Sequence, residues 1–165
     1  MTNQEYTSQQ TSISVINKVY TKGEYIRGSN ILDYGGGKYD KNIEYMKQKG
    51  CNVVVYDPYN RSDEYNANTI DFINTHPIQY IVCSNVLNVI KEDDVIAEVL
   101  EDISNTKQKN QGCKVYISVY EGDKTGEPKE TTKGWQRNEK TDCYKDVINR
   151  FIPVSKVSNG IIICD

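Results

Sequence analysis

The chain has 165 residues and a formal net charge of −3, with a pI near 5.3. This length suits one domain, and the charge offers no positive surplus for a nucleic-acid backbone. The first thirty residues are polar and no stretch approaches the roughly 18 apolar residues of a membrane span. We therefore expect a cytoplasmic protein.

The N-terminal part of the chain predicts a mobile segment followed by a helix. Residues 1–12 are polar and lack an apolar pattern. The stretch SISVINKVY (12–20) places Ile13, Ile16 and Tyr20 on one helical face. We expect that helix to pack on a sheet, within a single domain that spans residues 13–165.

Two apolar runs separated by a helical pattern follow. NILDYG (30–35) predicts a strand, and NVVVYD (52–57) predicts a buried one, because its four consecutive β-branched or aromatic residues leave no polar face. The residues between them, 39–50, predict a helix that ends at Gly50. Between Asp57 and the next apolar run there is room for one helix but no convincing third strand, which indicates a trimmed sheet.

The second half of the chain continues the alternation. IQYIVCSNV (78–86) and KVYISVYE (114–121) predict two more strands, and the helical spacing over 91–103 predicts a helix between them. A long polar stretch over 122–138 interrupts the pattern, and loops of that length are usually functional or disordered. Residues 140–152 predict another helix.

The C-terminal tail decides the last part of the topology. Asn159 and Gly160 stand between two strand-like runs, which favours a tight antiparallel hairpin. Strands that alternate with helices predict a parallel sheet with helices on both faces. The expected fold is therefore a doubly wound, Rossmann-like α/β domain of six or seven mostly parallel strands, with an antiparallel strand in the terminal hairpin.

The stretch ILDYGGGKYD (31–40) places a glycine-rich turn where ligands bind in such sheets, beyond the carboxyl end of the first strand. A phosphate-binding loop closed by Gly37 would need glycine where Leu32 stands and Ser or Thr where Tyr39 stands. A dinucleotide motif counted from Gly35 would end at Asp40, an anion where a pyrophosphate would sit. Neither nucleotide motif fits, and a turn without a ligand is the weaker alternative.

The pattern that remains, an apolar strand ending in Asp-x-Gly-x-Gly, resembles motif I of the class I S-adenosylmethionine-dependent methyltransferases. Asp33, Gly35, Gly36 and Gly37 match it, whereas Tyr39 stands where the fuller motif has a third glycine. The segment IVCSNVLNVI is similar to the fourth-strand segment C-S-N-V-L-E-H-I of that family. The residues VLNVI in this segment also resemble those of methyltransferases associated with DNA phosphorothioation gene clusters and of small phage-borne enzymes.

This resemblance implies S-adenosylmethionine as the cofactor. Asp57 ends the second strand and would accept hydrogen bonds from both ribose hydroxyls, and we expect it to face the ligand and contribute little to stability. Ser84 and Asn85 would meet the methionyl end, or merely cap their strand. The expected cofactor-binding residues are Asp33, Tyr34, Gly35, Gly36, Gly37, Asp57, Pro58, Ser84 and Asn85.

Candidate acceptor residues lie just after the third detectable strand, at the end of the fourth and in the long polar stretch. The expected set is Asn88, Tyr120, Glu121, Trp135 and Gln136. Trp135 would roof an acceptor pocket, or equally anchor the loop to the core.

Nucleic-acid base chemistry receives little support. DPYN (57–60) resembles the D/N-P-P-Y motif of amino-methylating enzymes but lies on the wrong strand, and no cysteine follows a proline. We therefore expect a methyltransferase that acts on a small molecule or a protein. The alternatives are a non-catalytic sensor or complex subunit that binds S-adenosylmethionine or its product, and more distantly a nucleotide-sugar or dinucleotide binder. No particular acceptor or oligomeric state is indicated.

The cysteine and histidine residues do not form a pattern that predicts a metal site. The five cysteines at 51, 83, 113, 143 and 164 form no C-x-x-C pair, and His76 is the single histidine. We expect the cysteines to be small buried hydrophobes and His76 to be a loop residue without a catalytic role.

Overall fold

The computed structural model describes residues 15–132 and 134–165, so residues 1–12, predicted to be mobile, lie outside it. Its helices are α1 (Lys18–Lys22), α2 (Lys41–Gln48), α3 (Asp63–Thr75), α4 (Asp93–Gln108) and α5 (Lys145–Asn149). Its strands are β1 (Asn30–Tyr34), β2 (Asn52–Tyr56), β3 (Tyr80–Ser84), β4 (Lys114–Ser118), β5 (Lys129–Thr131), β6 (Gly134–Gln136), β7 (Lys156–Ser158) and β8 (Ile161–Cys164). Two short 3-10 turns lie at Leu87–Val89 and Thr141–Tyr144.

The main sheet has six strands in the order β2-β1-β3-β4-β8-β7. Strands β2, β1, β3 and β4 are parallel, whereas β8 is antiparallel to both β4 and β7. The prediction of a doubly wound sheet with a terminal antiparallel hairpin is thus confirmed. In the described part of the chain, α3 alone fills the connection from β2 to β3, so β2 is the edge strand.

Alternate residues of the central strands feed two apolar cores, one on each face of the sheet. Ile31 and Val82 pack with residues of α1 and α2, whereas Leu32 and Ile81 pack with residues of α4 and α5. A strand projects successive side chains to opposite faces, so a continuous apolar run serves both cores. This explains why neighbouring residues such as Ile31 and Leu32 of β1, or Ile81 and Val82 of β3, are all apolar.

The leading helix is shorter than the sequence predicts. It begins at Lys18 because the side chain of Asn17 accepts a hydrogen bond from the Val19 N–H and caps the first turn. Tyr20 is buried as expected and Ile16 packs against the core, whereas Ile13 lies outside the described residues.

The helix predicted over 140–152 is also shorter. A 3-10 turn precedes α5, which ends at Asn149. The Asn149 side chain accepts a hydrogen bond from the Val154 N–H at 2.9 Å, and Pro153 lacks the N–H that a continuing helix needs. These two features explain the early end.

The long polar stretch is folded. Strands β5 and β6 form a small antiparallel ribbon within residues 122–138, which we call the hairpin loop. The Asn138 side chain closes its base, accepting from the Asp123 N–H at 3.3 Å and donating to the Glu127 carbonyl at 2.9 Å. The loop is therefore a structured unit that packs beside the sheet.

The described residues contain no helix that is long and apolar enough to cross a membrane. Cys51, Cys83, Cys113 and Cys164 are buried, as the sequence predicts, but Cys143 is exposed. The expectation is wrong for Cys143 because it lies on the outer side of the 3-10 turn before α5.

The terminal hairpin yields a prediction about stability. Gly160 has φ +72°, and a Cβ there would lie 2.9 Å from the Lys18 ammonium nitrogen. We expect Gly160→Ala to lower the free energy of unfolding by about 1–2 kcal/mol, because an L residue is strained in the left-handed region. Urea titration of both proteins measures this. Asn159→Gly is the control and should be nearly neutral; an unstrained Gly160→Ala would contradict the assigned turn.

Candidate active site

The glycine turn lies directly above the end of β1. Gly35 and Gly37 have φ +78° and +80°, and the Gly35 N–H donates to the Tyr56 carbonyl at 2.7 Å. A Cβ on Gly36 would lie 2.7 Å from the carboxyl carbon of Asp33. A Cβ on Gly35 would overlap the side chain of Val86, which follows β3. The glycines are thus required by close packing as well as by backbone conformation.

Asp33 is an ionisable group enclosed beneath this turn. Its side chain is 4% exposed, and the Tyr20 hydroxyl donates to its Oδ2 at 2.6 Å. Burial is the main cause that raises the pKa of Asp33, and nearby Asp57 adds to the rise, whereas the Tyr20 hydrogen bond and Arg61 lower it; the resulting pKa is about 6. The site therefore contains a carboxyl group that titrates close to neutral pH.

Asp57 has a structural role that the sequence analysis did not expect. Its Oδ2 accepts from the Gly37 N–H at 2.9 Å and from the Asn60 amide nitrogen at 3.0 Å. Its Oδ1 accepts from the backbone N–H groups of Tyr59 and Asn60, both at 3.1 Å. Only 3% of the residue is exposed, so these four contacts favour a contribution to stability, whereas the sequence analysis predicts little contribution.

Two further residues, which sequence reasoning missed, hold the glycine turn. Arg61 donates to the Gly37 carbonyl at 2.6 Å, to the Tyr39 carbonyl at 3.1 Å and to Asp40 at 2.7 Å. Asn66 of α3 accepts from the Asp57 N–H at 2.8 Å and donates to the Asp57 carbonyl at 3.1 Å. The sequence signal that could have found them is their position, because both residues follow Asp57 closely in the chain.

Two predicted cofactor residues meet this edge differently. The Tyr34 hydroxyl donates to Asp102 of α4 at 2.8 Å, so the side chain points toward the helix layer and leaves only the backbone for a ligand. Pro58 is exposed beside the buried Asp57. Pro58 is therefore accessible to a ligand, whereas the Tyr34 ring is committed to packing.

Ser84 and Asn85 end β3 next to the glycine turn. The Ser84 hydroxyl donates to the Asn17 side-chain oxygen at 3.0 Å and lies 2.6 Å from the Ser118 hydroxyl at the end of β4. Asn85 is exposed with φ +58°, and its N–H donates to the Ser118 carbonyl at 2.9 Å. Asn17, which the sequence analysis did not single out, thus brings the chain before α1 to this edge.

The predicted acceptor residues fall into two groups. Asn88 is buried in the 3-10 turn after β3, and β6, which carries Trp135, lies against that turn. The Glu121 carboxylate accepts from the Thr141 N–H at 2.7 Å, a contact that lowers its pKa. The structure therefore brings Asn88 and the Trp135 strand together.

The remaining two candidates serve the loop or face solvent. The Gln136 side chain accepts from the Asn138 N–H at 3.2 Å, within the hairpin loop. Tyr120 is 63% exposed. Their roles in acceptor binding stay predictions.

Arg137 attaches the hairpin loop to the segment after β3. Its guanidinium donates to the Ile90 carbonyl at 2.6 Å and to the Lys91 carbonyl at 2.9 Å, and it pairs with Asp93 at 2.7 Å. Its backbone N–H donates to the Asn88 carbonyl at 2.9 Å. Only 14% of the Arg137 side chain is exposed, so these contacts attach the loop through a largely buried guanidinium.

Within residues 15–132 and 134–165, no cluster of three or more His, Cys, Asp or Glu side chains could hold a metal ion. His76 lies at the end of α3 and stacks on Phe72 at 4.1 Å between ring centres. It precedes β3, at the opposite end of that strand from Ser84.

Comparisons with known proteins identify the family. The family described as "Methyltransferase domain" matches residues 14–149. The chain belongs to this methyltransferase family. Among solved structures it is similar to a TehB-like SAM-dependent methyltransferase from Corynebacterium glutamicum, with 12% identity and a TM-score of 0.44, covering 88% of this chain and 84% of that one. No curated protein matches the chain.

The fold of this methyltransferase agrees with the class I arrangement that the sequence resemblance implied. Asp33, the glycine turn and Asp57 lie together at the carboxyl edge of the sheet, where β1 and β3 are neighbours. This is the point at which strand order reverses, and ligands bind there in doubly wound sheets.

The contacts of Asp57 lead to a second prediction. We expect Asp57→Ala to lower the free energy of unfolding of the methyltransferase by about 2–4 kcal/mol, because four donors lose one acceptor group. Asp71→Ala is the matched control, since Asp71 is exposed on α3. Chemical denaturation gives both values. Equal stability of the two variants would show that the Asp57 contacts are dispensable.

The raised pKa of Asp33 leads to a third prediction. Between its ordinary value of 3.8 and about 6 the folded protein binds more protons than the unfolded chain, so stability falls as pH rises through this window. We expect Asp33→Asn to remove that fall and to be more stable than wild type at pH 7, by at most about 3 kcal/mol.

Urea titrations of wild type and Asp33→Asn at several pH values from about 4 to 7 measure this difference. The two curves should draw together toward pH 4, where Asp33 is protonated in the folded wild type and partly protonated in the unfolded chain. Parallel pH profiles for the two proteins would contradict the raised pKa.

Proposed function

We propose that the protein is an S-adenosylmethionine-dependent methyltransferase that acts on a small molecule or a protein. The observation that carries the proposal is the buried Asp33 carboxyl beneath a glycine turn at the reversal point of the sheet. A buried ionisable group beside a backbone cradle is a costly arrangement, and such arrangements cluster at functional sites.

The residues at this edge fit the cofactor. S-adenosylmethionine carries a positive sulfonium and a positive ammonium group, and Asp33 supplies a carboxylate that lacks a bonded cation among its described contacts. Bound there, the cofactor supplies an activated methyl group.

Asp57 is proposed to contact the ribose hydroxyls by exchanging one of its present partners. Three of its four donors are backbone N–H groups fixed by the turns, whereas the fourth is the side-chain amide of Asn60. Asn60 is half-buried, so its side chain is the partner that a hydroxyl most easily replaces. Pro58, exposed beside it, is proposed to meet the adenosine from the outer side.

The chain's own contribution to transfer is proposed to be positioning. Ser84 and Asn85 lie at the end of β3, and Asn17 holds the Ser84 hydroxyl in place. Holding two reactants in line supplies much of the acceleration when the donor is already activated. The net charge of −3 favours a small-molecule or protein acceptor over a nucleic acid.

Calorimetry tests the cofactor and the role of Asp33 together, which is the fourth prediction. We expect S-adenosylmethionine and S-adenosylhomocysteine to bind at micromolar to millimolar concentration and NAD not to bind. With a pKa of about 6, roughly a quarter of Asp33 is ionised at pH 5.5. Affinity for S-adenosylmethionine should therefore fall up to about four-fold between pH 7.5 and 5.5.

Asp33→Asn provides the control for the pH effect. Its affinity for S-adenosylmethionine should be lower than that of wild type at pH 7.5 and should change little with pH. Absence of binding by both adenosyl compounds to the folded protein would refute the proposed function. Binding that is independent of pH in both proteins would place the cofactor away from Asp33.

A transfer assay then separates an enzyme from a protein that only binds the cofactor. Wild type and Asp33→Asn are incubated with cell-extract fractions and the radiolabelled methyl donor. Label transferred by wild type, and at a reduced rate by the variant, supports catalysis. Cofactor binding without label in any fraction favours the sensor or complex-subunit alternative.

A further inference from the structure

The Asn88 side chain is a buried amide that the rest of the described protein leaves unsatisfied. The residue is 1% exposed, and neither its amide nitrogen nor its amide oxygen has a hydrogen-bond partner. Its backbone is well held, because its carbonyl accepts from the Arg137 N–H at 2.9 Å. Buried polar groups are nearly always paired, so an amide with both ends unpaired indicates a missing partner.

The surroundings of Asn88 place it beside the proposed cofactor site. It lies four residues after Ser84, and Val86 between them packs against Gly35 of the glycine turn. On its other side, β6 of the hairpin loop lies against the Asn88 turn. Asn88 therefore stands between the glycine turn and the hairpin loop.

A second buried polar group without a hydrogen-bond partner lies near Arg137, the residue that attaches the hairpin loop. The hydroxyl of Tyr144, a residue 2% exposed, has no hydrogen-bond partner. Burial and the charge of Glu139 raise the Tyr144 pKa, and Arg137 lowers it, so this hydroxyl lies within electrostatic reach of both charges. Arg137 thus has an unsatisfied amide and an unsatisfied phenol in its neighbourhood.

The guanidinium of Arg137, whose backbone N–H bonds the Asn88 carbonyl, is not available to a ligand. Arg137 commits its guanidinium to the Ile90 and Lys91 carbonyls and to Asp93, and its Nη1 lies 3.5 Å from Glu139. A negatively charged ligand group at Asn88 would therefore gain little from Arg137. The amide itself offers one acceptor and two donors, which match a neutral group that presents a donor and an acceptor side by side.

We propose that Asn88 is an acceptor-binding residue whose amide pairs with a carboxamide-like group of a neutral methyl acceptor. The inference rests on the proposed function, since it assumes that a methyl acceptor occupies this edge. The hairpin loop has to lift from the Asn88 turn to admit the acceptor, because the amide is enclosed when the loop is docked. Arg137 then holds the loop over the bound molecule.

Benzamide and benzoate are the probes for this proposal. Benzamide presents the matching donor and acceptor pair, whereas benzoate has the same shape but replaces the donor with a charged oxygen. Ligand-observed NMR measures both dissociation constants in the presence and absence of S-adenosylhomocysteine. We expect benzamide to bind wild type at least about ten-fold more tightly than benzoate, equivalent to about 1.4 kcal/mol.

Asn88→Leu removes the amide at similar volume, and Asn105→Leu, at an exposed position on α4, is the matched control. Benzamide should bind Asn88→Leu at least about ten-fold more weakly than wild type and should bind Asn105→Leu normally. Equal binding to wild type and Asn88→Leu, or no binding to wild type, would overturn the proposal.

Thermal unfolding provides a readout that does not depend on any ligand. Because the amide has no partner to lose, Asn88→Leu should unfold at the same temperature as wild type or a few degrees higher. A fall of more than about 4 °C would mean that the protein or a buried water already satisfies the amide, which also overturns the proposal.

Calorimetry with S-adenosylhomocysteine keeps the two hypotheses separate. If S-adenosylhomocysteine binds wild type and Asn88→Leu alike while benzamide discriminates between them, both the proposed function and the acceptor role are supported. If S-adenosylhomocysteine binds but benzamide does not discriminate, only the acceptor role fails. If S-adenosylhomocysteine does not bind wild type, the proposed function fails, and the acceptor role fails with it.

Discussion

The burial of two carboxyl groups under one glycine turn is the constraint on which this edge of the protein depends. Asp57 is satisfied by four donors, three of them backbone N–H groups, so its charge is compensated where it lies. Among the described residues, Asp33 accepts a hydrogen bond from the Tyr20 hydroxyl alone, and its burial raises its pKa to about 6 despite that bond and the charge of Arg61. The same turn thus covers two carboxyl groups: Asp57, which holds the turn in place, and Asp33, whose charge changes with pH near neutrality.

Much of the fold was predictable from the sequence because it follows from local patterns. The runs around Val54 and Ile81 have no polar face, and only a sheet covered on both faces accommodates such strands. The Asn159 and Gly160 pair adopts positive φ at both positions, which a tight antiparallel hairpin requires. Periodicity and turn chemistry are properties of a few neighbouring residues, so they can be recognised in the sequence without the tertiary structure.

The supporting contacts of the site could not be predicted in this way. Arg61, Asn66 and Arg137 act on backbone groups that are remote in sequence or belong to another element, and no periodic pattern marks such partners. Asp57 illustrates the difference. Its position at a strand end was readable, but its commitment to three backbone donors depends on how the Gly37 turn folds back over β2.

The two sides of the proposed site are held by different kinds of interaction. The cofactor side is built into the ends of β1 and β2, whose residues are fixed by the sheet and by two apolar cores. The hairpin loop is a two-stranded ribbon, which is marginally stable alone, and the residues of β5 are exposed. Its position therefore depends on the polar contacts of Arg137, including the one to the Asn88 carbonyl. The Asn88 side chain beside this attachment is buried without a partner, a cost in free energy that offsets part of the stabilisation from the Arg137 contacts.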